Sequence, residues 1–197
     1  MMIPDAQIPR ELQRMIDSEL TGGERVTWSA QPLPGRLARK AMPAVWFGIP
    51  WTAFAIFWTA SAASGMSKAG GSGLFHAFPL FGLPFILFGL GMLSSPYWMR
   101  RRARRSVYVL TNRRAIVLAA GWRGSITVRS FEPERLTDLR RKQNPDGSGD
   151  LVFAQDIRRD SDSDRFSTDV GFLAIREVKS VEEKVRGLVA QKRDEEA

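Results

Sequence analysis

The sequence predicts an α+β membrane protein, in which a transmembrane helical hairpin is joined to a basic, strand-rich domain that ends in an amphipathic helix. Three observations carry this. Two long uncharged blocks stand in the first half of the chain, and an arginine cluster follows the second. The remainder alternates apolar and polar residues at the strand period, then switches to the helical one near the C-terminus.

A chain of 197 residues suffices for one domain of ordinary size plus a membrane element. Its mean hydropathy of -0.20 averages over two unlike parts. Residues 42–93 are almost uncharged, whereas the rest holds nearly all of the 29 basic and 21 acidic residues. A soluble fold spreads apolar residues periodically, and a membrane protein concentrates them in blocks. Cysteine is absent, which excludes disulfides, thiolate metal sites and a cysteine nucleophile. The net charge of +8 suits an anionic partner. Much of the excess lies beside the apolar blocks and no recognition motif is present, so the expected partner is the lipid bilayer and not nucleic acid. The N-terminus lacks a basic run followed by a short apolar core, and no cleavable signal peptide is expected.

The first block covers 42–63 and the second 74–95, each about 22 residues, where about 20 cross the hydrocarbon. Between them, 64–73 is a short Gly/Ser-rich connection with Lys68, which can only join antiparallel neighbours. Two re-entrant segments are the alternative, disfavoured because both blocks have full spanning length. Pro43, Pro50, Pro79 and Pro84 would damage helices in water but are tolerated in membranes. Gly48, Thr52, Ala55, Thr59 and Ala62 share one helical face, as do Gly82 and Gly89, and these small residues are expected to let the helices touch. Arg36, Arg39 and Lys40 precede the first span, and Arg100, Arg101, Arg102, Arg104 and Arg105 follow the second. The positive-inside rule then places both termini in the cytoplasm of a multi-pass inner-membrane protein, with the Gly/Ser loop outside. Trp46, Tyr97 and Trp98 fit interfacial aromatic belts. His76 reads as an interfacial residue in preference to a proton relay.

Within 1–23, Ile8, Leu12, Met15 and Ile16 form one helical stripe, with Asp5 as a cap and Gly22–Gly23 as the end. Packing on its own domain is the simpler reading of this helix, and binding a partner the other. A first strand lies within 24–35, with Val26 and Trp28 expected on one side. After the arginines, SVYVLT and RAIVLAA flank a turn at Thr111, Asn112 and Arg113, and SITVRSF follows the GWRG turn. LTDLRR is a fourth strand of this region and DLVFAQDI a fifth, entered through the turn at 144–149. RRDSDSDRFSTDV reads as a polar tip and a short strand. Val178, Val181, Val185, Leu188 and Val189 then repeat at helical spacing, so the domain extends over 106–191 as a small, partly open barrel covered by a helix.

The order GERVTWSAQP, apolar hairpin, YVLTNRRAI, SGDLVF and GFLAIREVKSVEEKV resembles the bacterial pleckstrin-homology-like membrane proteins, from about Gly23 to Leu188. The resemblance implies a pleckstrin-homology-like β-barrel of about seven strands with a C-terminal amphipathic helix, held at the membrane. It implies no set of binding residues. In this chain it requires the GERVTWSAQP strand to rejoin the others after two crossings of the bilayer.

Candidate sites are few. Arg100, Arg101, Arg102, Arg104 and Arg105 are either topology determinants alone or contacts for acidic headgroups. Arg113 and Arg114, with Arg123, Arg140 and Arg141, either converge on one barrel rim as an anionic pocket or are ordinary solvated arginines. Asp146, Ser148 and Asp150 imitate the start of a calcium loop, but Leu151 and Ile157 occupy the positions that need glycine and glutamate. Asp160, Asp162 and Asp164 fail likewise, and both stretches read as turns. The single histidine stands in a membrane block and no nucleophile, zinc or phosphate-loop motif occurs, so no cofactor and no catalysis are expected. The expected function is a scaffold or accessory subunit with a membrane or cytoplasmic protein partner, with homo-oligomers open, and the alternative is a sensor of anionic lipid or a small anionic ligand. A transport component is disfavoured because the hairpin is so apolar.

Overall fold

A computed structural model describes residues 8–69, 80–121, 125–159 and 165–196, without the side chains of 66–69, 156–159, 165–168 and 196. His76, Arg123, Asp5 and the 160–164 aspartates therefore lie outside the described residues or side chains. Two units are present: residues Met1–Leu37 with Arg101–Ala197, and residues Ala38–Arg100.

The first unit is built on two antiparallel sheets. Sheet A has the order β1 (Val26–Ala30), β2 (Val107–Thr111), β3 (Ala115–Ala120), β4 (Ile126–Phe131). Sheet B comprises β5 (Arg140–Gln143), β6 (Gly149–Arg159) and β7 (Arg165–Ile175). The strands thus form two hydrogen-bonded sheets, where the sequence led us to expect a single partly open barrel. The key junction is β1 with β2, which pair Ala30 with Tyr108 and Val26 with Thr111 across the whole intervening hairpin.

Every residue of β2 is buried, because sheet A is covered on both faces. Val107, Val109, Ile116 and Leu118 receive Leu12 and Ile16 of α1 (Arg10–Glu19). The N-terminal helix therefore packs on its own unit, with Ile8 and Met15 at the margin of the same contact. The alternate residues Tyr108, Leu110, Ala115 and Val117 enter the main core with Leu151, Phe153 and Phe172 of sheet B. Val178, Val181, Val185 and Leu188 of α6 (Val178–Glu196) close that core along the stripe the spacing predicts. Phe172 is its centre, with ring centroids 4.7 Å from Phe153, 5.2 Å from Tyr108 and 5.3 Å from Trp28.

Three strand expectations change. Val26 and Trp28 lie on opposite faces, Val26 against the α1 side and Trp28 in the main core. The cause is a bulge: Val26 faces Thr111 and Trp28 faces Leu110, so Thr27 is the extra residue that breaks the two-residue period. LTDLRR is not one strand, because Pro133–Leu136 is a 3-10 helix that buries Leu136, and pairing starts at Arg140. The strand after the polar tip is long, with 11 residues, as is its partner β6.

The second unit contains α3 (Met42–Ala69) and α4 (Leu83–Leu93), and α5 (Ser95–Arg104) begins in it. α2 (Pro34–Arg39) precedes α3. Small residues set the α3–α4 contact. Thr59 stands against Gly82 and Thr52 against Gly89, where any Cβ would collide, and a Cβ at Gly48 would lie 2.9 Å from that of Met92. These are the two faces that the sequence spacing singles out. α3 is long and apolar enough to cross a membrane, with a mean hydropathy of 1.2 in an 18-residue window within Met42–Gly65. Of the second block, 74–79 lie outside the described residues, and α4 ends at Leu93, close to the expected end at Ser95. Leu80–Leu93 and Ser95–Arg104 satisfy the same criterion only taken together, bent by 46°. Pro96 causes the break, since it has no N–H for the carbonyl of Met92, which accepts from the Ser95 hydroxyl at 2.6 Å instead.

Candidate functional site

The seven arginines singled out from the sequence fall in two separate places. Arg113 and Arg114 form the β2–β3 turn, which the Thr111 amide closes by donating to the Arg114 carbonyl at 2.9 Å. They border an open cleft of about 700 Å³, whose other walls are the α1–β1 loop, Glu132–Glu134 and the last turns of α6.

Arg114 is fully engaged inside the protein. Its Nε and Nη2 donate to the two carboxylate oxygens of Glu24 at 3.0 and 3.1 Å. Nη2 also donates to the Glu19 carbonyl at 2.8 Å, and Nη1 to the Ser130 hydroxyl at 3.2 Å. Glu24 in turn accepts from the Thr111 hydroxyl at 2.8 Å and from the amide and hydroxyl of Thr21 at 3.0 and 2.9 Å. Its side chain has 0% exposure. Burial pushes its pKa up, but the bonds from Arg114, Thr21 and Thr111 outweigh burial and hold it at about 2, against 4.5 ordinarily. The same Glu24 bond raises the pKa of Arg114 further. Sequence spacing gives no hint of Glu24, because its partner is 90 residues away.

Arg113 is exposed and makes no side-chain ion pair among the described residues. Around it the cleft carries Arg114 and Lys192 but also Glu24, Glu132, Glu134 and Glu195, so carboxylates outnumber cations. Arg140 and Arg141 do not line it. They pair with Asp169 and Glu182, each at 2.6 Å. Of the described rim arginines, Arg140 and Arg141 therefore do not join Arg113 and Arg114 in one anion pocket. Arg114, Arg140 and Arg141 are each paired with a carboxylate, and the cleft is a mixed-charge polar surface.

Arg100, Arg101, Arg102 and Arg104 lie on α5, and Arg105 in the turn that closes it. All five are exposed and none makes a side-chain ion pair among the described residues. Arg36, a flanking charge of the first block, is by contrast paired with Asp146. Asp146 accepts from the Ser148 amide and hydroxyl at 3.2 and 2.7 Å, bonds that with Arg36 lower its pKa. Asp150 accepts from the Ala174 amide at 2.7 Å, and Gly147 takes a φ of +79°. The acidic stretch is thus the β5–β6 turn and the start of β6, its Asp146 and Asp150 carboxylates occupied by donors of the chain itself. Among the described residues no group of three or more His, Cys, Asp or Glu side chains is arranged to hold a metal ion.

No family model and no curated protein matches the chain. Among solved structures, it is similar to a DUF1696 family protein with a pleckstrin-homology domain from Shewanella loihica, at 16% identity and a TM-score of 0.30. That match covers 45% of this chain and 74% of the other.

Among the described residues the candidate arginines thus border two surfaces, the cleft beside Arg113 and the arginine-bearing face of α5. The first offers side chains of both signs and suits a protein surface with matching donors and acceptors. The second offers positive charge alone.

Proposed function

We propose that this chain is a membrane-anchored, non-catalytic scaffold or accessory subunit, whose pleckstrin-homology-like unit holds a protein partner at the cytoplasmic face of the inner membrane. The observation that carries the anchor is the exposed shell of the hairpin. Trp46 is 74% exposed, Phe57 69%, Phe54 66% and Leu87 65%. Only 17% of the apolar window of α3 is buried, where the core helix of a soluble domain would be mostly covered. Each such side chain left in water forgoes about 1.5–3 kcal/mol, and a shell this continuous calls for hydrocarbon. The pairing of β1 with β2 supports a hairpin whose ends return to one side, because Ala30 and Tyr108 are cross-strand neighbours. Seven strands in two antiparallel sheets, followed by a helix that closes the core, support the pleckstrin-like reading of the first unit. The cleft beside Arg113 is the surface offered to the partner.

The absence of cysteine makes the topology directly testable. In Ser18→Cys, Ser72→Cys and Lys184→Cys variants, a membrane-impermeant maleimide should label only Ser72→Cys in intact spheroplasts, and all three after lysis. Full-length protein should stay in the pellet after alkaline carbonate washing. Ser18→Cys and Lys184→Cys on opposite sides, or release by carbonate, would overturn the anchor. The scaffold reading expects a stoichiometric partner to co-purify from detergent and to be lost in Arg113→Glu. Retention of the partner in that variant would move the contact elsewhere.

A further inference from the structure

We infer that the outward face of α5 binds the acidic headgroups of the membrane that holds the hairpin. The inference rests on the anchoring proposed above and adds the ligand class and the residues. At 100° per residue, Arg100 and Arg104 lie one above the other, as do Arg101 and Arg105. Tyr97 and Trp98 fall on the same face one turn earlier, 60% and 58% exposed. Ala103 marks the opposite face and is completely buried. Arg102 occupies the flank. The helix contains no acidic residue. Four guanidinium groups therefore share one face with two amphipathic rings, the combination that favours the boundary between acyl chains and headgroups.

The bend places this face at the right depth. The 10 residues of α5 rise about 15 Å as a helix. With α4 taken along the bilayer normal, the 46° bend lets α5 climb only about 10 Å. The headgroup layer is about 5–8 Å thick on each side, and the Debye length at physiological salt is about 8 Å. All four arginines thus stay within the reach of headgroup charge, and closer to the headgroups than a straight continuation would hold them. The Ser95–Pro96 break has this consequence as well as ending α4. Exposed cations without carboxylate partners among the described residues, continuous with an apolar helix, commit the face to anionic lipid. Arg114 of the cleft, held by Glu24, lacks both properties, and Arg113 lacks the second.

The test uses full-length protein in phosphatidylcholine proteoliposomes, with spin-labelled phosphatidylglycerol or spin-labelled phosphatidylcholine as the probe. Electron paramagnetic resonance reads the fraction of each lipid held at the protein. The expected result is a preference of about fivefold or more for phosphatidylglycerol, since each near-surface basic residue contributes about that factor. The preference should fall toward parity at high salt and in the variant Arg100→Gln/Arg101→Gln/Arg104→Gln/Arg105→Gln, and persist in the corresponding four-lysine variant. Parity in the wild type, an unchanged preference in the glutamine variant, or an equal loss in Arg113→Gln alone would overturn the inference. If the glutamine variant fails to fold, the salt series and the lysine variant still decide. A chain that restricts neither lipid is not embedded, which removes the anchor and the inference together.

Discussion

Glu24 has a role that its position in the sequence does not announce. It stands just before β1, and Arg114 and Thr111 hold it against the β2–β3 turn on the far side of the hairpin. A buried carboxylate with a bidentate guanidinium and three further donors stabilises the junction, whereas either partner alone would leave an unpaired charge. Glu24→Ala is expected to cost about 3 kcal/mol, read as a lower thermal midpoint of the full chain in detergent. Acid should act through the same group. Because its folded-state pKa of about 2 lies below the ordinary 4.5, its contribution is complete above pH 4.5 and is lost as the pH falls through about 2. The displacement is worth about 3 kcal/mol, so the wild type should lose stability across that window, and Glu24→Gln should be flatter there. Parallel pH profiles for the two proteins would show that Glu24 is no stabilising carboxylate.

At the scale of elements, local patterns were legible where one face decides the period. The residues of β2, β3 and α6 fall on the faces that alternation and helical spacing assign. Legibility stopped where a single residue breaks the period or a partner is remote. Thr27 adds a residue to β1 and turns Trp28 into the main core, which two-residue alternation does not reveal. The Ser95 hydroxyl and Pro96 bend the chain at the end of the second apolar block, which composition alone does not reveal. Of the seven candidate arginines only Arg114 makes an ion pair among the described residues, and its partner Glu24 could not be named from the sequence because it lies 90 residues away. The small-residue faces of the hairpin were legible, and they support a paired test. A Leu at Gly89 would drive into Thr52, whose Cα would lie 3.2 Å from the new Cβ. Gly91, on the same helix, has nothing within 4 Å. Gly89→Leu should therefore cost about 1–3 kcal/mol in detergent unfolding of the full chain, and Gly91→Leu next to nothing. Equal effects would mean that α3 and α4 do not touch along this face.

The whole molecule is organised by an interruption: the first unit is completed only by chain from both sides of the second. β1 contributes Trp28 to the main core and Val26 to the α1 side, so the unit cannot close without the residues before the hairpin. Within the first unit the two cut ends are held together. The Gln31 side chain donates to the Arg104 carbonyl at 3.0 Å, and Leu37, Ala103 and Ala174 share a small buried cluster. A tether there need not be long, since about eight Gly/Ser residues reach roughly 15 Å, and a shorter connection also lowers the closure entropy. Replacing residues 38–100 by such a tether should therefore yield a water-soluble protein that unfolds in one cooperative step. It should lose stability on acidification as the full chain does, because Glu24 and Arg114 are both retained. A protein that aggregates at every tether length would mean that β1 reaches β2 only when the hairpin is in place. One that stays soluble but lacks the acid response would mean that β1 has not returned to sheet A, with α1 and α6 covering the remaining strands without it.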